Sequence, residues 1–425
     1  MSRFFGIFGI IFIFAIAYLM SNNKKAINYK TIGTGFALQV FLAVFVFKVP
    51  LGRTIFAGIG AFIQKILEFA YQGGQFVFGG LMSSKWTEIF TAGGSIFALQ
   101  LVSSTIFMMI LVNILYHYGI MQRVVAVLGK GMNKIMSVSG AEALSNVASV
   151  FVGQIVAQIM IKPYLEKLTR SEILASMAGS MACISGAIMP IYIAMGIPAQ
   201  YLLASSVMAA PGALVISKIV YPETGIPETS KDFKINYSKR KRTHINVFDA
   251  ISSGASEGMK VAINVIAMIL ALVALVAFID WMLGGFGTLV AKYLHINSFL
   301  GLDMTHLSLK MILGEIFALF AFLMGVPVSE ATTVGSLMGT KLVLNEMVAY
   351  VDLTHLPTQL SDKSFLIASF ALCSFGNFGS IAIQLGGIGE LAPNQRKNLA
   401  RVGVRALICG TLTCYMSAAI AGILF

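Results

Sequence analysis

Gly325-Val326-Pro327-Val328-Ser329-Glu330-Ala331 lies within an apolar segment, about 312–347, yet it carries a glycine, a proline and a carboxylate. None of the three suits a straight helix through hydrocarbon. Irregular backbone at membrane depth survives only where protein buries it or where it lines a watery cavity. The segment therefore predicts a helical hairpin that enters the membrane and turns back. A second apolar segment, about 140–168, is broken by Gly140, Gly153 and Pro163, contains Gln154 and Gln158, and predicts the same structure.

Working outward, the 425 residues are 57% hydrophobic and only 11% charged. A soluble chain usually has about 25% charged residues, so most of this chain must sit in lipid. Runs long enough to cross a bilayer occur at about 3–20, 33–48, 97–118, 173–195, 200–220, 260–282, 365–387 and 403–424. The first run is followed directly by Ser21-Asn22-Asn23-Lys24-Lys25, without a small-residue cleavage pattern, and reads as a retained helix. The expected fold is an all-α integral membrane protein with about eight transmembrane helices and two re-entrant hairpins. Most of the 30 Lys and Arg residues fall in the loops after spans one, three, five and seven. The positive-inside bias puts those loops in the cytoplasm and both termini outside.

The formal net charge of +12 raises the possibility of a nucleic-acid partner, but the basic residues are spread over short loops rather than one stripe. The run Lys239-Arg240-Lys241-Arg242 belongs to the only long polar linker and reads as a solvated cytoplasmic loop. Cys183, Cys373, Cys409 and Cys414 read as small buried side chains, and the five histidines have no ligand spacing, so no metal site is expected.

Each hairpin is followed by two apolar spans, and three crossings separate the hairpins. An odd number makes the second enter from the opposite side, the inverted repeat typical of secondary transporters, with a site near the midplane. The expected units are mainly scaffold helices at 1–139, the first hairpin and transport helices at 140–221, and a basic linker with an interfacial helix at 222–259. A scaffold helix and connection at 260–305 and the second hairpin with transport helices at 306–425 complete the chain.

Within this frame Glu330 is a carboxylate in apolar surroundings, able to accept two hydroxyl hydrogen bonds, as vicinal sugar hydroxyls would offer. A helix cap or an internal ion pair is the plainer account of it. Asn377 and Ser380 lie in Phe375-Gly376-Asn377-Phe378-Gly379-Ser380, mid-span, where two glycines loosen a helix and open its backbone to a ligand. The same side chains also suit interhelical hydrogen bonds. Gln154 offers a donor and an acceptor to the edge of a heterocyclic base, and Phe375 offers a ring for stacking, although core packing also suits it. Asp280, beside Trp281, reads as an interfacial anchor at a span end.

The stretch 325–331, together with Lys341, Asn345-Glu346-Met347-Val348-Ala349-Tyr350 and Phe370-Ala371-Leu372-Cys373-Ser374-Phe375-Gly376-Asn377, closely resembles the concentrative nucleoside transporter family. Lys25-Ala26-Ile27-Asn28, Phe78-Gly79-Gly80-Leu81 and Leu391-Ala392-Pro393 extend the resemblance over nearly the whole chain. It implies a homotrimer in the inner membrane that takes up nucleosides with a coupling cation. It also implies ribose contacts at Glu330, Asn377 and Ser380, a pocket wall at Phe375 and a base contact at Gln154. No organic cofactor is implied.

The chain departs from the family at the first hairpin, Gly153-Gln154-Ile155-Val156-Ala157-Gln158, where the usual pattern has a hydroxyl and then a carboxylate. The family's sodium site maps onto the carbonyls of Val152 and Ile184 and onto side chains that are here Ser149, Ile155 and Cys183. A thiol and an alkyl group serve a hard cation poorly, so proton coupling, with Glu330 a candidate carrier, or facilitated diffusion is expected instead. A diverged carrier of another ribosyl compound is the alternative. A membrane-embedded enzyme would need a catalytic set such as H-E-x-x-H, paired aspartates near a span end, or G-x-S-x-G at membrane depth, whereas a single buried Glu with amides suits reversible binding better than bond breaking.

Overall fold

The computed structural model describes residues 2–82, 97–229, 244–294, 298–299 and 302–425. The Lys239–Arg242 run lies outside the described residues. The chain is almost entirely helical. Helices α1 (Ser2–Leu19), α2 (Tyr29–Phe47), α3 (Pro50–Phe78), α4 (Phe97–His117) and α5 (Ile120–Met136) precede the first hairpin.

The hairpin is α6 (Gly140–Val152) and α7 (Gln154–Met160), joined at Gly153. There φ is +82°, a conformation that glycine adopts without steric cost. Gln158 Nε2 reaches back to Ser145 Oγ at 3.1 Å, so the chain reverses at this point. A short helix α8 (Lys162–Leu165) leads to α9 (Arg170–Ala182), α10 (Met189–Ala194) and α11 (Ala199–Val220). The expected span at 173–195 is thus a helix broken over residues 183–188.

Helix α12 (Val247–Leu294) runs 48 residues without a break. At 1.5 Å per residue this is roughly 72 Å, more than twice the hydrocarbon thickness. The second hairpin, α13 (Leu309–Leu323) and α14 (Val328–Val343), bends by 118°. The bend contains Gly325 and Pro327, as the sequence requires. Gly314 and Gly335 let its two arms touch: a Cβ on Gly335 would sit 2.6 Å from the Gly314 carbonyl oxygen. Then come α15 (Glu346–Thr354), α16 (Asp362–Leu372), α17 (Phe378–Leu391) and α18 (Arg396–Leu424). The order hairpin, broken helix, unbroken helix recurs in the two halves.

The unbroken helices that close each half form the core. Helix α18 packs on α1, α2, α9, α11, α16 and α17. The apolar window of α11 is 89% buried inside the protein and that of α12 only 17%. Helix α12 therefore meets its surroundings along most of its length, and it grips α4 through Gly254 and Gly258, which press on the backbone at Ile110 and Ile106.

At three places the structure adds to the sequence reading. Helix α3 was not among the eight spans because Arg53, Gln64, Lys65, Glu68, Gln72 and Gln75 interrupt its apolar residues, yet it folds as one amphipathic helix. Asp280 lies inside α12, and its Oδ1 accepts the Leu309 N–H at 2.7 Å, capping the α13 side of the second hairpin. The third concerns Glu330 and belongs to the site.

Candidate functional site

Both broken helices are unwound at the same place in space. The Phe375 N–H donates to the Cys183 carbonyl at 3.2 Å, joining the α16–α17 break to the α9–α10 break. The Gly186 N–H donates to Val150 O at 3.0 Å, tying the α9–α10 break to the tip of the first hairpin. At Gly376 a Cβ would come within 3.2 Å of Thr411 Oγ1 and 3.3 Å of the Met181 carbonyl, so the chains cross closely there.

Asn377 caps α17: its Oδ1 accepts the Ser380 N–H at 2.9 Å, which orders the side chain at the mouth of the break. Its Nδ2 donates to Glu346 Oε2 at 3.3 Å, and Tyr192 of α10 donates its hydroxyl to Glu346 Oε1 at 3.0 Å. Gln154, the first residue after the Gly153 turn, donates Nε2 to Ser380 Oγ at 3.4 Å and accepts Gln384 Nε2 at 3.1 Å. Phe375 is buried beside them. The structure thus gathers Gln154, Phe375, Asn377 and Ser380 at one point, built from the first hairpin and the two breaks.

Glu330 is not at that point. It lies in the first turn of α14, partly exposed, and accepts both the backbone N–H of Ser361 at 3.0 Å and its hydroxyl at 2.8 Å. Ser361 is the residue that precedes α16, so in this structure the Glu330 carboxylate sits at that helix start, as in the plainer account raised by its sequence context. The carboxylate that meets Asn377 is Glu346, only 6% exposed at the start of α15. Its helix is capped in turn by Asn345, whose Oδ1 accepts the Val348 N–H at 3.0 Å. The Asn345-Glu346 pair was visible in the sequence, but its burial depends on α10 and α17 closing over it.

Glu346 is not the only buried charge here. Lys341, the last-turn lysine of α14, is fully buried, and its Nζ has no hydrogen-bond partner. It lies 5.9 Å from the Tyr415 ring centroid and feels the charge of Glu346. Gln384 Oε1 and Thr411 Oγ1 are likewise without hydrogen-bond partners. Buried polar atoms of this kind are costly unless a ligand or water meets them. The group suits reversible binding of a polyhydroxylated molecule.

Val152 ends α6 and Ile184 lies in the first break, so both carbonyls expected for a coupling ion are at the hairpin tip and the unwound segment. The side chains expected beside them are engaged elsewhere. Ser149 Oγ donates to Ser145 O at 2.8 Å and contacts Ser180 Oγ at 2.9 Å. Cys183 Sγ donates to Gly179 O at 3.4 Å. Ile155 packs against Gly387, where a Cβ would collide with it. The five expected positions thus supply at most three oxygens, the Val152 and Ile184 carbonyls and the Ser149 hydroxyl, with a thiol and an alkyl group in the other two places.

Among the described residues no group of three or more His, Cys, Asp or Glu side chains is arranged to hold a metal ion. A descriptive match to "Na+ dependent nucleoside transporter C-terminus" covers residues 201–422, its N-terminal counterpart covers 8–81, and "Nucleoside recognition" covers 98–199. The chain is 38% identical to nucleoside permease NupC of Helicobacter pylori (strain ATCC 700392 / 26695), over 99% of this chain and 98% of that one. Sodium/nucleoside cotransporter 1 of Rattus norvegicus is 33% identical, over 98% of this chain and 63% of its own length. Among solved structures, CNTnw in an inward-facing substrate-bound state superposes with a TM-score of 0.91 at 39% identity, covering 100% of this chain and 98% of that one. A CNTnw variant in an intermediate state superposes with a TM-score of 0.92 at 39% identity, covering 100% and 99%.

Proposed function

The chain belongs to the Na+-dependent nucleoside transporter family, the concentrative nucleoside transporters, and from that premise we propose that it imports nucleosides across the inner membrane by proton symport. It is a membrane transporter and not an enzyme. In our reading Glu346 and Asn377 hold the ribose hydroxyls, Ser380 and Gln154 hold the nucleoside at its other polar edge, and Phe375 walls the pocket. The observation that carries this is the contact of Asn377 with the buried Glu346 carboxylate, beside the Gln154–Ser380 contact.

A carboxylate is an acceptor at both oxygens, and the two donors that Glu346 now has are a tyrosine hydroxyl and an amide. Vicinal hydroxyls of a ribose are donors of the same kind and exchange with them at little net cost in hydrogen bonds. That exchange suits a carrier, which must release what it binds.

The proposal of proton coupling rests on the hydroxyl and thiol at 149 and 183 being turned to Ser145, Ser180 and Gly179, with an alkyl chain at 155. The homotrimer, the outward termini and the division into scaffold and transport parts are retained as parts of the same proposal. Uptake of radiolabelled uridine and adenosine into proteoliposomes, with sodium and proton gradients imposed separately, tests it. Accumulation under the proton gradient alone is expected. Accumulation that requires sodium at fixed pH and potential overturns the coupling, and absence of nucleoside uptake under either gradient overturns the substrate.

One observation favours a second reading. Val156, where the family usually has a carboxylate for the base, is exposed and apolar, so the base edge is read by fewer polar groups. A carrier of another ribosyl compound would show itself in competition uptake, by an inhibitor that outcompetes every nucleoside.

A further inference from the structure

Helix α3 has two faces. Leu51, Phe62, Phe69 and Phe76 are exposed apolar side chains on one of them. The other carries Gln64, Glu68, Gln72 and Gln75, at intervals of three and four residues that align them along the helix. With Leu67 and Tyr71 of the same helix and Ile193 of α10, they border an open depression of about 600 Å³. Three primary amides and a carboxylate facing hydrocarbon would each be expensive, so this face belongs to water or to a polar ligand.

The cavity adjoins the candidate site through a single short element. Tyr192, the residue before Ile193, turns the other way and donates to Glu346. Ala194, the residue after, lines a second cavity of about 180 Å³ with Tyr71, Met82, Gln100, Ser103 and Ser104. Tyr71 stands between the two cavities, held by its hydroxyl on the Met82 carbonyl at 2.6 Å. The six residues of α10 therefore separate the amide face of α3 from the buried carboxylate.

We infer that this cleft is a vestibular subsite, in which a nucleoside is held by the amides of α3 before it passes α10 to reach Glu346. The chemistry matches the ligand. Each amide offers both a donor and an acceptor, so several orientations of a base edge or a ribose are accommodated. Tyr71 offers an aromatic surface for the base. Glu68 is paired with Lys65 on its own helix, which lowers the local charge and keeps the cleft suited to a neutral solute. The inference rests on the reading that Glu346 is the central nucleoside site.

The four native cysteines are buried, so a cysteine introduced into the cleft is the accessible thiol among the described residues. The experiment uses the full chain in proteoliposomes, Gln72→Cys, a membrane-impermeant methanethiosulfonate and uridine; Gln75→Cys is read in parallel in case the first variant is not assembled. Uridine is expected to slow modification several-fold, and to do so equally when Glu346→Gln is added. Phe62→Cys, on the opposite face, should show no protection. Absence of labelling at both cleft positions, absence of protection, or protection that vanishes with Glu346→Gln overturns the subsite, the last because the effect would then come from the central site. The reading of Glu346 fails separately, if Glu346→Gln leaves uridine uptake intact.

Discussion

Two glutamates compete for one role, and their surroundings separate them. Glu330 is partly exposed and already satisfied by Ser361, whereas Glu346 is buried against Tyr192 and Asn377. Removing the charge of Glu346 leaves its shape but weakens acceptance of two hydroxyls, and charge-assisted hydrogen bonds are worth about twice neutral ones. Glu346→Gln is therefore expected to lower uridine uptake at least tenfold, about 1.4 kcal/mol or more of binding. Glu330→Gln should keep most of the uptake and instead lower the unfolding temperature, because it loosens the cap of α16. Initial uptake rates and thermal unfolding in detergent, measured side by side, check the pair. The reverse pattern would return Glu330 to the site.

The first hairpin is held by a network with no apolar substitute. Gln158 donates to Ser145 Oγ and Ser180 Oγ and accepts from Ser176, and all of these residues are buried. Gln158→Leu removes both ends of the amide and strands the hydroxyls, at about 1 to 3 kcal/mol for each buried group left unpaired. The expected result is a clear fall in unfolding temperature and loss of transport, with the protein still inserted in the membrane. An unchanged melting curve would show that the serines find other partners. The sequence indicated this hairpin through Gly153, because a glycine between two apolar runs is a turn wherever helix is costly to continue. The serines of α6 and α9 carried no such signal, since their partners are up to 31 residues away and only the folded hairpin brings them within reach.

Across the molecule, the placement of both termini outside follows from the positive-inside bias over eight crossings. Helix α3 bears on that argument: it is long and apolar enough to span, and one further crossing would put the termini on opposite sides. The polar face formed by Gln64, Glu68, Gln72 and Gln75 favours a helix that does not cross. A periplasmic alkaline phosphatase fused to the C-terminus should accordingly be active, and a green fluorescent protein fused there dark. The opposite pair of results would assign α3 as a crossing.

Composition, span length and the positions of Gly, Pro and isolated polar residues were sufficient for the all-helical membrane fold, the two hairpins and the unwound segment at Gly376-Asn377. These are local consequences of backbone polarity in a medium without water, and they can be read one segment at a time. The same rules placed Gln154, Asn377 and Ser380 in a breach of regular helix, and the folded chain brings them together. They did not separate Glu330 from Glu346, both acidic residues in the first turn of an apolar helix, and they did not find α3. Burial of a carboxylate is a property of its neighbours: Tyr192 lies 154 positions from Glu346 and Asn377 lies 31 from it. Which acid is buried beside Asn377 and which bonds Ser361 at the start of α16 is decided only when the hairpins close on the two broken helices.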